Sequence, residues 1–181
     1  LQRKGAGLES MLHQLFHAAA CLHADKTAVI AHGRRLDYAR LRLEALRLAR
    51  LLRDHGAMPG DRVGMLLANS AEAAVTVWAV LEAGCVLVPL HAASRKDALQ
   101  PVLRDAEPRW VVTAGELSAS FAGVREALPA LAAMVVWAPR EAGDGVIAWH
   151  FDDAIPAGAA DETPSMVSGA GDPGALAALI Y

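Results

Sequence analysis

Apolar residues recur at helical spacing at Leu41, Ala45, Leu48, Ala49 and Leu52, while Arg40, Glu44, Arg47 and Asp54 occupy the positions between and after them. That spacing lays one apolar stripe along a helix, which Asp37 is suited to cap and Gly56 to end. Residues from about Leu8 to His23 carry the same periodicity. The stretch "KTAVIAHGRRLDY" between them reads as two short strands joined by a turn at His32 and Gly33. Further along, continuous apolar runs alternate with one-sided stretches. Arg62 to Ala68 predicts a strand, Asn69 or Ser70 a helix cap, Glu72 an acid in the first turn, and Gly84 the stop. "CVLVPL" predicts the next strand, and Ser94 with Asp97 offers a second cap. The helix after it has to accommodate Pro101 by a kink or a late start. "WVVT" (110–113) and "MVVW" (134–137) predict two strands flanking a helix from Glu116 to Ala130.

Uniformly apolar strands alternating with one-sided helices predict an α/β fold, a doubly wound and mainly parallel sheet with helices on both faces. Residues 1–181 are expected to form a single N-terminal α/β subdomain, with 139–174, rich in Gly, Pro, Asp and Ala, mostly loop. The last seven residues, "ALAALIY", have no charge, Gly or Pro, the pattern of a strand covered on both faces. Chain ends usually lose order, so the expectation here is a fragment cut just before its working part. In open parallel sheets ligands bind beyond the carboxyl ends of the strands, where the residue after Tyr181 would stand. A raw sheet edge of this kind would favour homo-oligomers.

Composition narrows the class. Hydrophobic residues make up 54% and charged residues 20%, which suits a packed core rather than a disordered chain. The net charge of −3, with arginines interleaved among acids, gives no basic stripe for nucleic acid. The apolar window from Ala73 to Ala93 is divided by Glu82, Gly84, Pro89 and His91 into a short helix and a strand, so it reads as core and not as a membrane span. Near the N-terminus Glu9, His13, Gln14 and His17 are too polar for a signal-peptide core. Cys21 and Cys85 read as reduced thiols, consistent with a cytoplasmic protein.

Candidate chemistry is sparse. Gly169, Gly171 and Gly174 spell a G-x-G-x-x-G, but it precedes a strand instead of following one and contains Pro173, so it is read as loop. His13 and His17 have the i, i+4 spacing that can share a metal; without a third ligand nearby they are read as partly exposed helix histidines. His91 follows a strand end, where a ligand-facing residue can sit, and a loop or capping role is preferred. Trp78, Trp110 and Trp137 are read as core. No Ser, His and acid set has interpretable spacing. No catalytic, cofactor-binding or metal residue is therefore assigned.

Three stretches, "LDYARL", "GDRVGMLLANSAEAAVTVWAVLEAGCVLVPL" and "LRDAEPRWVVT", resemble in order and spacing the N-terminal portion of adenylate-forming enzymes. That superfamily includes acyl-CoA synthetases, peptide-synthetase adenylation domains and luciferases. The resemblance runs from about Met11 to Tyr181. It implies that a strand like "ALAALIY" leads into a Thr, Ser, Gly and Lys-rich loop around the phosphates of ATP, which here would lie past residue 181. It implies a parent enzyme using ATP, Mg2+ and coenzyme A, with a small-molecule carboxylic acid and a thiol acceptor as partners, and an inactive scaffold in these residues alone. "VPLHAASRKDALQPVLRDAEPRWVVT" looks more like acyl-CoA synthetases. A peptide-synthetase adenylation domain, a fatty acyl-AMP ligase and a non-catalytic α/β interaction module stand as alternatives.

Overall fold

Each central strand sends alternate side chains to opposite faces of one sheet, and both faces are covered. Val63 and Leu67 join one core cluster and Leu66 the other; Leu87 and Val88 divide in the same way, as do Val112 and Val111. A strand buried on both sides gains nothing from polar alternation, which is why these runs are apolar throughout. The computed structural model describes residues 12–94, 96–115, 128, 130–137, 146–149 and 176–180.

The sheet contains β3 (Arg62–Leu66), β4 (Val86–Leu90), β5 (Trp110–Ala114), β6 (Ala133–Trp137) and β7 (Val146–Trp149). Their spatial order is β4-β3-β5-β6-β7, with every pairing parallel. A separate antiparallel hairpin joins β1 (Thr27–Ala31) to β2 (Arg34–Asp37). Its turn residues His32 and Gly33 have φ of 47° and 77°, the left-handed backbone that a two-residue hairpin turn needs. The helices are α1 (Leu12–Leu22), α2 (Tyr38–Asp54), α3 (Ala71–Glu82) and α4 (Lys96–Ala106). One face of the sheet carries α3 backed by α2, and the other carries α4 through Leu99, Leu103 and Ala106.

The caps follow the sequence. Asp37 Oδ1 accepts the Arg40 amide at 2.6 Å, and Ser70, not Asn69, caps α3 by accepting from Ala73 N at 3.1 Å. Pro101 lies within α4, which begins at Lys96, so the helix does not start late. The proline has no N–H for a bond back to Asp97, which removes one rung of the helix.

Three readings change, and one strand is added. Glu44, placed with the polar positions of α2, is fully buried and pairs with Arg40 at 2.8 Å and Arg47 at 3.9 Å. Its helix is covered by α1, α3 and the hairpin together, so the buried arc is wider than one stripe. Trp78 is half-buried rather than central, its ring stacked on Phe16 at 4.2 Å. Val146–Trp149, within the stretch expected to be mostly loop, forms β7. The final apolar segment is not covered on both faces. Among the described residues it makes one parallel bridge, between Ala178 and Leu87, with Leu176 and Ile180 exposed. The helix expected from Glu116 and the glycines at 169, 171 and 174 fall outside the described residues. No helix among the described residues is long and apolar enough to cross a membrane.

Candidate functional site

The chain leaves β3 through α3 to reach β4 on one side, then crosses by α4 to β5 on the other side of β3. The strand order therefore reverses between β3 and β5. At such a switch point the two connections diverge and open a crevice beyond the carboxyl ends of the strands. Asn69 and Ser70, His91, Ala114 and Trp137 mark that edge in sequence, since each stands at or just past a strand end.

The polar groups described here bind one another. His32 Nε2 donates to the Asn69 carbonyl at 3.0 Å, and Arg34 Nη1 donates to Glu72 Oε1 at 2.8 Å. Both contacts tie the hairpin to the start of α3. From the sheet side, Trp137 Nε1 donates to Thr76 Oγ1 at 3.3 Å, and Thr76 Oγ1 donates to the Glu72 carbonyl at 2.8 Å. The first turn of α3 is thus fixed from two directions. His91 is exposed, and its carbonyl accepts the Ser94 amide at 2.9 Å to close a turn, which matches the loop reading. The segment 176–180 runs parallel to β4 and is held by Leu87 N donating to Ala177 O and Leu179 N donating to Leu87 O, both at 2.9 Å.

The other candidate histidines lie at the opposite end, where α3 finishes. Arg42 Nε donates to His17 Nδ1 at 2.7 Å, and His17 Nε2 bonds Glu82 Oε2 at 2.7 Å. A guanidinium can only donate, so Nδ1 is the acceptor and the ring proton sits on Nε2. With both nitrogens engaged and the ring buried, His17 is a bridge between three helices, not a partly exposed residue. Burial lowers the pKa of His13, with Glu82 acting against that shift and His17 adding to it. Burial pushes the Cys85 thiol up to about 11, with Asp61 adding to the rise and Arg53 opposing it. Cys21 is exposed, and neither cysteine is in a disulfide. Sequence reasoning missed the Arg42–His17–Glu82 chain, whose members have no motif spacing to reveal them.

Among the described residues no group of three or more His, Cys, Asp or Glu could hold a metal ion.

Residues 16–181 match the AMP-binding enzyme family. The phosphinothricin tripeptide synthetase PhsC of Streptomyces viridochromogenes is 38% identical over 112 residues, which is 62% of this chain and 10% of that protein. The dimodular nonribosomal peptide synthase of Bacillus subtilis is 36% identical over 102 residues, 56% of this chain and 4% of that protein. The chain thus spans a tenth or less of these curated relatives. Coronafacic acid ligase from Pectobacterium brasiliense has the same fold, with a TM-score of 0.75 at 17% identity over 95% of this chain and 33% of that one.

Proposed function

We propose, on the premise that the chain belongs to the AMP-binding enzyme family, that residues 1–181 are the N-terminal scaffold of a peptide-synthetase adenylation unit. In the parent reaction a carboxylate would attack the α-phosphorus of MgATP, releasing pyrophosphate and giving an acyl-adenylate, whose acyl group would then pass to a thiol with release of AMP. The part these residues play is positional. The hairpin and Trp137 hold the first turn of α3 still, which keeps the carboxyl edge of β3 in register with its neighbours. Pre-organisation of this sort matters where charge is to be neutralised by groups fixed in advance.

The observation that carries the reading is the segment 176–180, which lies parallel to β4 and so runs toward the carboxyl edge. The family resemblance sets the phosphate loop directly after this segment. The peptide-synthetase relatives favour the adenylation-domain reading over the acyl-CoA synthetase reading, whose support is the likeness of the stretch after "VPL". On that view the substrate is an amino acid or related carboxylic acid, and the acceptor is a carrier-protein thiol instead of coenzyme A.

ATP–pyrophosphate exchange tests the proposal. The 181-residue chain is expected to give no exchange with any amino acid or other carboxylic acid, and robust exchange would refute the scaffold reading. Where the reading frame continues past Tyr181, the longer protein is expected to exchange with an amino acid. Exchange only with non-amino acids would return the acyl-CoA synthetase or acyl-AMP ligase reading, and none at all the non-catalytic module.

A further inference from the structure

Leu12, Leu15, Ala19 and Leu22 follow one another along α1 in alternating steps of three and four, and the same alternation reaches back in sequence to Leu8. That is the spacing of a heptad seam, in which two apolar positions recur in every seven residues. At about 100° per residue the four positions share a stripe about 80° wide.

The dock of α1 onto the rest of the protein uses a different side. Phe16, His17 and Ala20 are its buried residues, about a third of a turn round the helix from the seam. Phe16 stacks on Trp78, and His17 bonds Arg42 of α2 and Glu82 of α3, so the helix is held in place without help from the seam. Leu12, Leu15 and Leu22 are left 53%, 51% and 77% exposed. Apolar surface gathered on one stripe in this way marks a contact site, whereas single exposed leucines do not.

We infer that α1 is a self-association helix, which pairs antiparallel with α1 of a second copy of this chain along Leu12, Leu15, Ala19 and Leu22.

Charge and shape select that occupant. Residues 12–22 contain no Asp, Glu, Lys or Arg, so a charged partner surface would be stripped of water with nothing to pair with. Each of the other described helices carries charge: Arg50 and Asp54 in α2, Glu72 and Glu82 in α3, Asp97 and Arg104 in α4. Within the described part of the fold, the helix that matches this stripe is therefore α1 itself. A parallel pair would set Ala19 against Ala19 and leave a gap. Run antiparallel, Leu15 meets Ala19 of the second copy and Leu12 meets its Leu22, so large side chains fill the space that small ones leave. A contact of two short helices falls below the roughly 800 Å² per partner of a standard interface, so the dimer is weak and depends on concentration.

Sedimentation of the 181-residue chain under reducing conditions, from about 1 µM to about 200 µM, is expected to show a monomer passing to a dimer with a Kd on the order of 10 µM. Leu15→Glu places two charges in the middle of the seam and is expected to raise that Kd at least about tenfold. Ile180→Glu adds the same charge to the terminal segment, at another exposed position, and is expected to leave the Kd within about twofold. Both variants should keep the circular dichroism of the unmodified chain. Orientation is read by mild oxidation in a Cys21→Ser background: mixing Leu12→Cys with Leu22→Cys should give the crossed disulfide, and either alone should give little. A monomer at every concentration overturns the inference. So does a dimer indifferent to Leu15→Glu, a dimer lost in Ile180→Glu, which would move the contact to the sheet edge, or cross-links between like cysteines only.

Discussion

Replacing Thr76 by Val tests whether α3 is pinned to the sheet through the hydroxyl or through shape alone. The substitution keeps the branched outline of a residue with no solvent exposure and exchanges its oxygen for a methyl group. Two bonds go. The one from Oγ1 to the Glu72 carbonyl is a back-bond within the helix, and that carbonyl keeps its place in the backbone ladder, so its loss costs little. The bond from Trp137 Nε1 matters more, because the indole is buried and loses the acceptor that Thr76 provides. Loss of a buried partner costs roughly 1–3 kcal/mol. At 3.3 Å this bond is long for N–H···O, which places it at the lower end, about 1 kcal/mol. With a urea dependence of about 2 kcal/mol per molar, the unfolding midpoint should drop by about 0.5 M. The assay is a double-mutant cycle with Trp137→Phe, followed by circular dichroism in urea. In the Trp137→Phe background the Thr76→Val penalty should shrink toward zero, giving a coupling of about 1 kcal/mol. A Thr76→Val midpoint equal to the unmodified chain, or a penalty that Trp137→Phe leaves undiminished, would refute the pinning argument.

Alkylation should separate the two cysteines. Since the Cys85 pKa moves from 9.0 to about 11, its thiolate is about a hundredfold scarcer near pH 8 than for an unshifted thiol, and iodoacetamide followed by mass spectrometry should label Cys21 first. Because the folded chain holds that proton more tightly, the contribution to stability is present below pH 9 and lost as pH rises toward 11; comparable labelling rates for both thiols would contradict the burial. The two glycines should respond differently. Gly84 has φ of +73° and stands with its would-be Cβ 3.4 Å from Pro59 Cβ, so Gly84→Ala should cost about 1 kcal/mol or more in denaturation. Gly64 lies in extended backbone with ordinary contacts to Val111 and Leu90, and Gly64→Ala should stay within about 0.5 kcal/mol of the unmodified chain.

What could be read from the sequence was whatever a few neighbouring residues decide. The strand of Arg62–Leu66, the caps at Asp37 and Ser70 and the turn at His32 and Gly33 each follow from local periodicity or a local hydrogen bond. Burial decided by several elements together was not legible. Glu44 looks like one more charge on a polar arc until three neighbours close over its helix. His17 and Glu82 are separated by 65 positions, and no spacing rule joins them. The strand at Val146–Trp149 is four residues long and set in a stretch whose Gly, Ala and Asp content masks it. The terminal segment failed for a different reason: its composition fits a covered strand, but among the described residues its strand neighbour is β4, at the margin of the sheet. The family was legible because its signal is the order of several ordinary elements.

The bridge between Leu87 and Ala178 also sets a timetable. Its two partners are 91 positions apart, so β4 is synthesised long before the segment that lies against its outer margin. At roughly 5–20 residues per second on the ribosome, that margin waits about 5–18 s for its neighbour. Throughout this interval the backbone of β4 offers an unpaired row of donors and acceptors to any extended chain nearby. A slower stretch of codons between these positions would lengthen the wait, and the yield of soluble protein should fall with it.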